Sequence, residues 1–513
     1  MFNRSGGVKK IIVIGAGPGG LAAAMLLAAR GYDVSVFEKK PYVGGRNGRF
    51  ELGEYRFDIG PTFLSMPHII EELFAASGRN IHDYIQLVEL DPMYELVFND
   101  VKLAMTMNRE EMKKRIATLF PGNEHGYEKF INENERKLQA LAPILQSKMD
   151  RLYHYLRPSV VKALPQLTLS QTLYDVLSRY FDDERLRLAF TFQAKYLGMS
   201  PWECPGAFSI LSYMEHAYGI YHVIGGLSEI PKAMARIVEE YGGRVYVNEG
   251  VRKLWIDGTT VKGVVLENGE TVEADEVIIN ADFAHAMTNL VDDGVLRKYR
   301  KEKLQSKKYS CSTFMMYVGV NKPVDLAHHT IIFADDYKRN VDEITKDKKI
   351  PDDPSIYVQN AAVTDRTVAP EGKSALYILA PVPNNTSGID WEKEKEAFRQ
   401  NIWDTLAKKL GWGRMESYIE CEKIITPSDW ENDMFVYEGA TFNLGHQLSQ
   451  MMVFRPHNRF EELRHCWLVG GGTHPGSGLP TIFESARITA NGILQADRQP
   501  LIPVGPLPKR REL

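Results

Sequence analysis

Apolar residues fall into short β-branched runs and alanine-rich stretches, punctuated by glycine. Lys9 and Lys10 lead into Ile11-Ile12-Val13-Ile14, a run that predicts a strand buried on both faces. A glycine-rich turn follows, then a helix over 21–30 that Gly31 stops, then a second strand over 33–37 ending at Glu38. Further along, Gly225-Gly226 and Ser228, a good N-cap, open a helix reaching about 241, where Gly242-Gly243 ends it. Strands are expected over 244–248, 261–266 and 271–280, with an Asn268-Gly269 turn between the last two. Near the C-terminus, 466–469 predicts a short apolar strand, and a helix begins at Thr481 with Pro480 suited to its first turn. Residues 11–29 carry no charge and match a bilayer in length. Gly15, Gly17, Pro18, Gly19 and Gly20 would break such a span, so strand, turn and helix is the better reading. The stretch lacks a small-residue cleavage site and is soon followed by Glu38, Lys39 and Lys40, which argues against a signal peptide.

The first turn carries chemistry. Gly15-Ala16-Gly17-Pro18-Gly19-Gly20 satisfies GxGxxG between a strand and a helix. In such a turn Gly15 permits the tight reversal, Gly17 lets backbone approach a pyrophosphate, and Gly20 lets helix pack on strand. The helix start offers free N–H donors and the positive dipole end to phosphate. Glu38 ends the second strand, where a carboxylate accepts hydrogen bonds from both ribose hydroxyls. Strand, turn, helix, strand and acid in that order predict a dinucleotide site.

Composition narrows the class. A chain of 513 residues holds two to four domains and a sizeable core. Lys+Arg number 62 against Asp+Glu 66, so no basic field argues for nucleic acid. Cys204, Cys311, Cys421 and Cys466 lie far apart with no CxxC pair. No metal site or disulfide framework is expected, and a reducing cytoplasmic compartment fits. No second GxGxxG follows a strand, so neither an NAD(P)H domain nor a redox cysteine pair is visible. Electrons taken up at the dinucleotide should then leave to oxygen, a quinone or another small acceptor.

Val43-Gly44-Gly45-Arg46 and Phe57-Asp58-Ile59-Gly60-Pro61-Thr62 follow Glu38 closely, and Gly470-Gly471-Gly472-Thr473-His474-Pro475-Gly476-Ser477-Gly478-Leu479-Pro480 stands near the other end. Together with the runs Lys195-Tyr196-Leu197-Gly198-Met199-Ser200-Pro201-Trp202 and Tyr218-Gly219-Ile220-Tyr221-His222, these resemble the FAD-binding amine oxidase and carotenoid desaturase superfamily. Within it the chain resembles the bacterial phytoene desaturases, and most closely their C30 branch, the 4,4'-diapophytoene (dehydrosqualene) desaturases. The resemblance implies an α/β fold, with a Rossmann-like FAD domain assembled from 1–100, 222–284 and 455–500. It further implies a helical, membrane-facing substrate region over 101–221 and an α+β substrate domain over 285–454. Cofactor contacts are expected from Gly15, Ala16, Gly17, Pro18, Gly19, Gly20, Glu38, Lys39, Gly45, Arg46, Gly60, Pro61, Thr62, Val251, Asp282, Gly471, Gly472, Gly478, Leu479 and Pro480. The helix start at Pro480 would face the flavin pyrimidine, where its dipole favours the negative charge of reduced flavin.

The activity implied is FAD-dependent desaturation of a linear C30 or C40 polyene by a cytoplasmic, peripherally membrane-associated enzyme. Hydride leaves one carbon for the flavin and a proton leaves its neighbour. Glu215, His216 and His222, just before Gly225-Gly226, are candidate bases. Asp150, Arg151 and His474 stay open, and Tyr218 or Tyr221 would instead steady a carbocation. The aromatics Phe190, Phe192, Tyr196, Trp202, Phe208, Tyr213, Tyr218 and Tyr221 predict either ordinary core or an apolar channel and membrane-dipping face. Lys509-Arg510-Arg511 would suit anionic lipid. Alternatives are a terminal-methyl oxygenase on a C30 carotenoid, a C40 phytoene desaturase, and a non-catalytic carrier of isoprenoid-modified proteins. An amine oxidase is disfavoured, since no aromatic pair is obviously placed to cage an amine.

Overall fold

A computed structural model describes residues 7–168 and 170–508; the Lys509-Arg510-Arg511 tail lies outside the described residues. Five parallel strands form the first sheet, in the order Arg244–Tyr246, Asp33–Phe37, Lys10–Ile14, Glu276–Ile279, Cys466–Leu468. The strand Lys10–Ile14 sits where the order reverses, so the glycine turn after it opens at the switch point, where doubly wound sheets bind ligands. Helix Pro18–Ala28 buries every residue from Gly19 to Ala28. It lies between the sheet and the helices Glu229–Glu240 and Leu479–Ala496, which explains an apolar composition with no polar stripe. Its Leu21, Met25, Leu26 and Leu27 are fully buried, each contributing about 1.5–3 kcal/mol.

The second sheet has seven strands, in the order Ile419–Ile425, Ser312–Val320, Ser374–Val382, Ile356–Asn360, His329–Ile332, Tyr94–Val97, Lys102–Met105. Period-2 alternation divides Ser312–Val320 between two cores. Phe314, Met316 and Val318 pack on Trp391, Phe398 and Trp403 of helix Trp391–Leu410. Met315 and Tyr317 face Tyr55, Phe57 and Ile59, and so join this sheet to the dinucleotide layer.

Two expectations shift. Residues 94–105 form one hairpin of the seven-stranded sheet, with Tyr94–Val97 parallel to His329–Ile332. The expected boundary at 100 therefore falls inside a strand pair: Asn99-Asp100 resembles a polar linker but is a hairpin turn. The expected strand over 271–280 is two, because the chain changes sheets at Ala274-Asp275. Thr271–Glu273 ends an antiparallel meander begun by Val251–Asp257 and Thr260–Leu266, and Glu276–Ile279 joins the parallel sheet.

The segment 109–218 is helical and apolar inside. Phe190, Phe192 and Tyr213 are buried, while Trp202, Phe208 and Tyr218 pack at the edge of the same core. No helix among the described residues is long and apolar enough to cross a membrane.

Candidate active site

The glycine turn is held at both ends. Gly15 N–H donates to Phe37 O (2.8 Å) and Gly44 N–H to Ala16 O (2.7 Å), which lays the Gly44-Gly45-Arg46 segment against the turn. Gly15 has φ +93°, and a Cβ there would stand 2.6 Å from Asn280 O, so only glycine fits. A Cβ on Gly17 would stand 2.7 Å from Asn280 Nδ2, and one on Gly20 2.5 Å from Gly15 O. Glu38 accepts from Ala16 N–H and Lys40 N–H, both at 2.8 Å, which fixes the carboxylate beside the turn. Burial pushes its pKa up, against the pull of those backbone donors. The chain beyond Arg244–Tyr246 runs alongside, with Asn248 N–H on Lys40 O and Glu249 N–H on Glu38 O. That brings Val251 to the Glu38 end of the site. Lys39 points outward and pairs with the half-exposed Glu267.

Two helix starts converge here. Gly17 caps Pro18–Ala28 and Gly478 caps Leu479–Ala496, neither with a side-chain acceptor, so both present N–H donors and positive dipole ends. A Cβ on Gly19 would lie 3.0 Å from Ile482 Cγ2, so the first turns pack directly together. This donor set, with Arg46 nearby, fits a dinucleotide pyrophosphate. Arg46 donates to Thr441 O. The Asn443 amide, oriented to satisfy both neighbours, accepts from Arg46 (3.2 Å) and donates to Asp282 (2.9 Å). Burial lowers the Arg46 pKa and raises that of Asp282, while each opposes the shift of the other. Arg455, fully buried, secures the C-terminal glycine loop by donating to Gly471 O (2.6 Å) and Thr473 O (3.2 Å). A Cβ on Gly472 would stand 2.7 Å from that of Phe283, so the loop lies tight on the Asp282–Phe283 corner.

The turn after Asp58 is clamped from the second sheet. Tyr317 OH donates to Ile59 O (2.5 Å), Tyr377 OH donates to Gly60 O (2.6 Å), and Thr62 Oγ1 shares a hydrogen bond with Tyr357 OH (2.7 Å). Gly60 sits close over Arg46, where a Cβ would come 2.6 Å from Arg46 O. Pro61 therefore lies between the Arg46 contact and the Tyr357 contact. Asp58 accepts from Leu227 N–H (2.8 Å) and Ser228 N–H (3.1 Å), and burial pushes its pKa up to about 6. Asp58 thus caps the helix Glu229–Glu240, the role expected of Ser228, whose own side chain makes no cap bond.

The candidate bases fall into three separate settings. Glu215 accepts from Tyr94 OH and Gln193 Nε2, both at 2.8 Å, and burial raises its pKa to about 7. His216 stacks on Phe190 (5.2 Å) with Tyr127 OH at 3.4 Å, and burial lowers its pKa to about 4. His222 pairs with Asp365 (3.0 Å) beneath the Gly225-Gly226 turn. Tyr221 donates to Glu89 (2.7 Å), and the Tyr218 ring lies 5.1 Å from that of His68. Asp150 lies 3.1 Å from His154, and His474 meets Ser147 O at 2.9 Å.

Sequence reasoning missed the residues that join the segments: Asn443, Arg455, and the tyrosines and histidines of the second sheet. The His328-His329 doublet was their one visible signal.

The model for flavin containing amine oxidoreductases matches residues 18–494. A 4,4'-diapophytoene desaturase (4,4'-diapolycopene-forming) from Methylomonas sp is 50% identical over 490 residues, covering 96% of each chain. A zeta-carotene-forming phytoene desaturase from Myxococcus xanthus is 38% identical, covering 95% of this chain and 94% of its own. Among solved structures, a putrescine oxidase with bound putrescine superposes with a TM-score of 0.63 at 16% identity, over 96% of this chain and 99% of that one, a likeness of fold. FAD is the cofactor this cradle takes, and when bound it supplies the two-electron chemistry. With the cradle intact and the match running through nearly its whole length, the chain belongs to the flavin-containing amine oxidoreductases, and within them to the carotenoid desaturases.

Proposed function

We propose that this protein desaturates 4,4'-diapophytoene in successive steps as far as 4,4'-diapolycopene, at a membrane surface, with FAD held by the contacts expected from the sequence. Identity of 50% over 96% of both chains with a desaturase of that substrate and product carries the reading. The polar groups of the site suit it. The substrate has no polar handle, so the chain needs only to orient a hydrocarbon, exclude water and receive protons. The helical region is apolar through Phe190, Phe192 and Tyr213, and Tyr218 packs on both this core and the dinucleotide core that contains Tyr221.

The membrane contact proposed is the face of the consecutive short helices Leu152–Leu156, Pro158–Ala163 and Leu164–Leu167. Leu152 and Leu156 are each 76% exposed and Tyr153 64%, beside exposed Val161 and Leu164, with exposed Arg151 just before them and exposed Lys162 among them. Apolar side chains interleaved with cations suit an anionic lipid interface. Electrons leave to oxygen or a quinone, in keeping with four unpaired cysteines and a single dinucleotide turn.

Coexpression in a carotenoid-free bacterium that makes 4,4'-diapophytoene tests this. Pigments losing two hydrogens per step, seen by mass spectrometry, are the expected result. Oxygen added to a preformed C30 polyene, without desaturation of 4,4'-diapophytoene, would move the protein to the terminal-methyl oxygenases.

A further inference from the structure

A buried histidine stands one hydrogen-bonded link from the Gly60–Thr62 turn, and no expected role uses it. His329 opens the strand His329–Ile332 and is fully buried. Its Nδ1 lies 2.7 Å from Tyr357 OH, which lies 2.7 Å from Thr62 Oγ1. Its ring stacks on that of Phe63, the residue following the turn, at 4.1 Å and 16°. Its Nε2 has no hydrogen-bond partner although buried.

The tautomer follows from the pairing. A tyrosine hydroxyl carries one proton. If Tyr357 gave it to His329 Nδ1, the imidazole proton would sit on Nε2 as a buried donor with no acceptor, the costlier kind of orphan. The favoured arrangement has Tyr357 donating to Thr62 and accepting from Nδ1–H, which leaves the Nε2 lone pair free. Burial holds this imidazole neutral, its pKa well below the ordinary value, with His328 and His222 adding to the effect.

Beside His329, the rings of His328 and His222 lead to a buried carboxylate. The His328 ring is 4.4 Å from that of His329 and 4.7 Å from that of His222, which is bonded to the buried Asp365. Asp365 also accepts from Gly225 N–H and Thr367, and these bonds hold its pKa below the usual carboxylate range although burial opposes them. Asp58, Gln359, Tyr377 and His222 line a cavity of about 20 Å³, room for one water, with Arg49 and Arg56 also on its wall. Glu215 bonds Tyr94, whose ring lies 6.1 Å from that of Phe63.

We infer that His329 Nε2 is the proton acceptor of the desaturation, with Tyr357 and Thr62 setting its tautomer. The inference rests on the desaturase reading. One C–H bond would break with its hydrogen leaving as hydride, taking the bonding electron pair to FAD. The neighbouring C–H pair becomes the new double bond, and its proton forms the Nε2–H bond of His329.

The test uses FAD-loaded protein with 4,4'-diapophytoene, or phytoene, in phosphatidylglycerol vesicles without oxygen, following flavin bleaching. H329Q should keep its FAD and melting temperature while bleaching at least about 100-fold more slowly, the usual contribution of a general base. H329A should be partly rescued by imidazole, in proportion to the unprotonated fraction of the buffer. In substrate-free holoprotein, histidine 15N NMR should find the Nδ1–H tautomer in a resonance that H329Q removes. Bleaching of H329Q within threefold of wild type, or an Nε2–H tautomer, overturns the inference. Bleaching by phytoene but not 4,4'-diapophytoene overturns only the substrate reading, and failure of both polyenes with wild type overturns both.

Discussion

Replacing Glu215 with Gln should stabilise the protein at alkaline pH and do little at acid pH. Its Oε2 accepts from Tyr94 and Gln193, and among the described residues no cation bonds to the carboxyl. Burial raises the pKa from an ordinary 4.5 to about 7. A raised folded pKa means that the fold favours the protonated form. The stability this gives is complete below about pH 4.5 and is lost as pH rises through about 7. At about 1.36 kcal/mol per pKa unit the loss is about 3 kcal/mol. A glutamine carbonyl can take both hydrogen bonds without titrating, so E215Q should gain about 1–3 kcal/mol over wild type at pH 8.5, and under 1 kcal/mol at pH 5. Urea unfolding of the FAD-loaded proteins at both values, followed by tryptophan fluorescence, measures the difference. Stability curves that run parallel between pH 5 and 8.5 would refute the assignment of a buried, proton-holding acid. A hundredfold loss of desaturation in E215Q would return the proton-acceptor role from His329 to Glu215.

Other perturbations address the cradle and the membrane face. G17V places carbon where Asn280 Nδ2 already stands within 2.7 Å of a Cβ, and should yield folded protein without flavin absorbance; a fully yellow variant would contradict it. R455M leaves the carbonyls of Gly471 and Thr473 without their buried donor, and should release FAD on gel filtration and cost about 1–3 kcal/mol in urea unfolding. The pair L152D and L156D removes two side chains that would each contribute about 1.5–3 kcal/mol on entering lipid, so sedimentation with phosphatidylglycerol vesicles should weaken at least about tenfold. Unchanged sedimentation would place the membrane contact elsewhere.

The dinucleotide half was legible because its signals are local. Ile11-Ile12-Val13-Ile14, the glycine turn and Glu38 lie within one βαβ unit, where spacing alone fixes geometry. Boundaries drifted where a tertiary contact replaced a local signal. Pro18 starts the first helix three residues before the expected one, and Asp58, distant in sequence, takes over the cap expected of Ser228. The seven-stranded sheet was less visible, because its strands come from 94–105 and 312–425 and pair across long separations. Asn443 and Arg455 were missed for the same reason, since a lone polar residue shows nothing of the carbonyls it reaches. His329 gives no sign in sequence of its Tyr357–Thr62 link, which arises only when residues 267 positions apart meet.

The central claim is that this FAD site removes hydrogen from a C30 polyene. It is tested most directly by mixing FAD-loaded protein with 4,4'-diapophytoene in vesicles without oxygen, then quantifying flavin bleaching and products from the same sample. One flavin reduced for each two hydrogens lost, with product masses stepping down toward 4,4'-diapolycopene, is the predicted result. A flavin that stays oxidised while 4,4'-diapophytoene is recovered unchanged would contradict it.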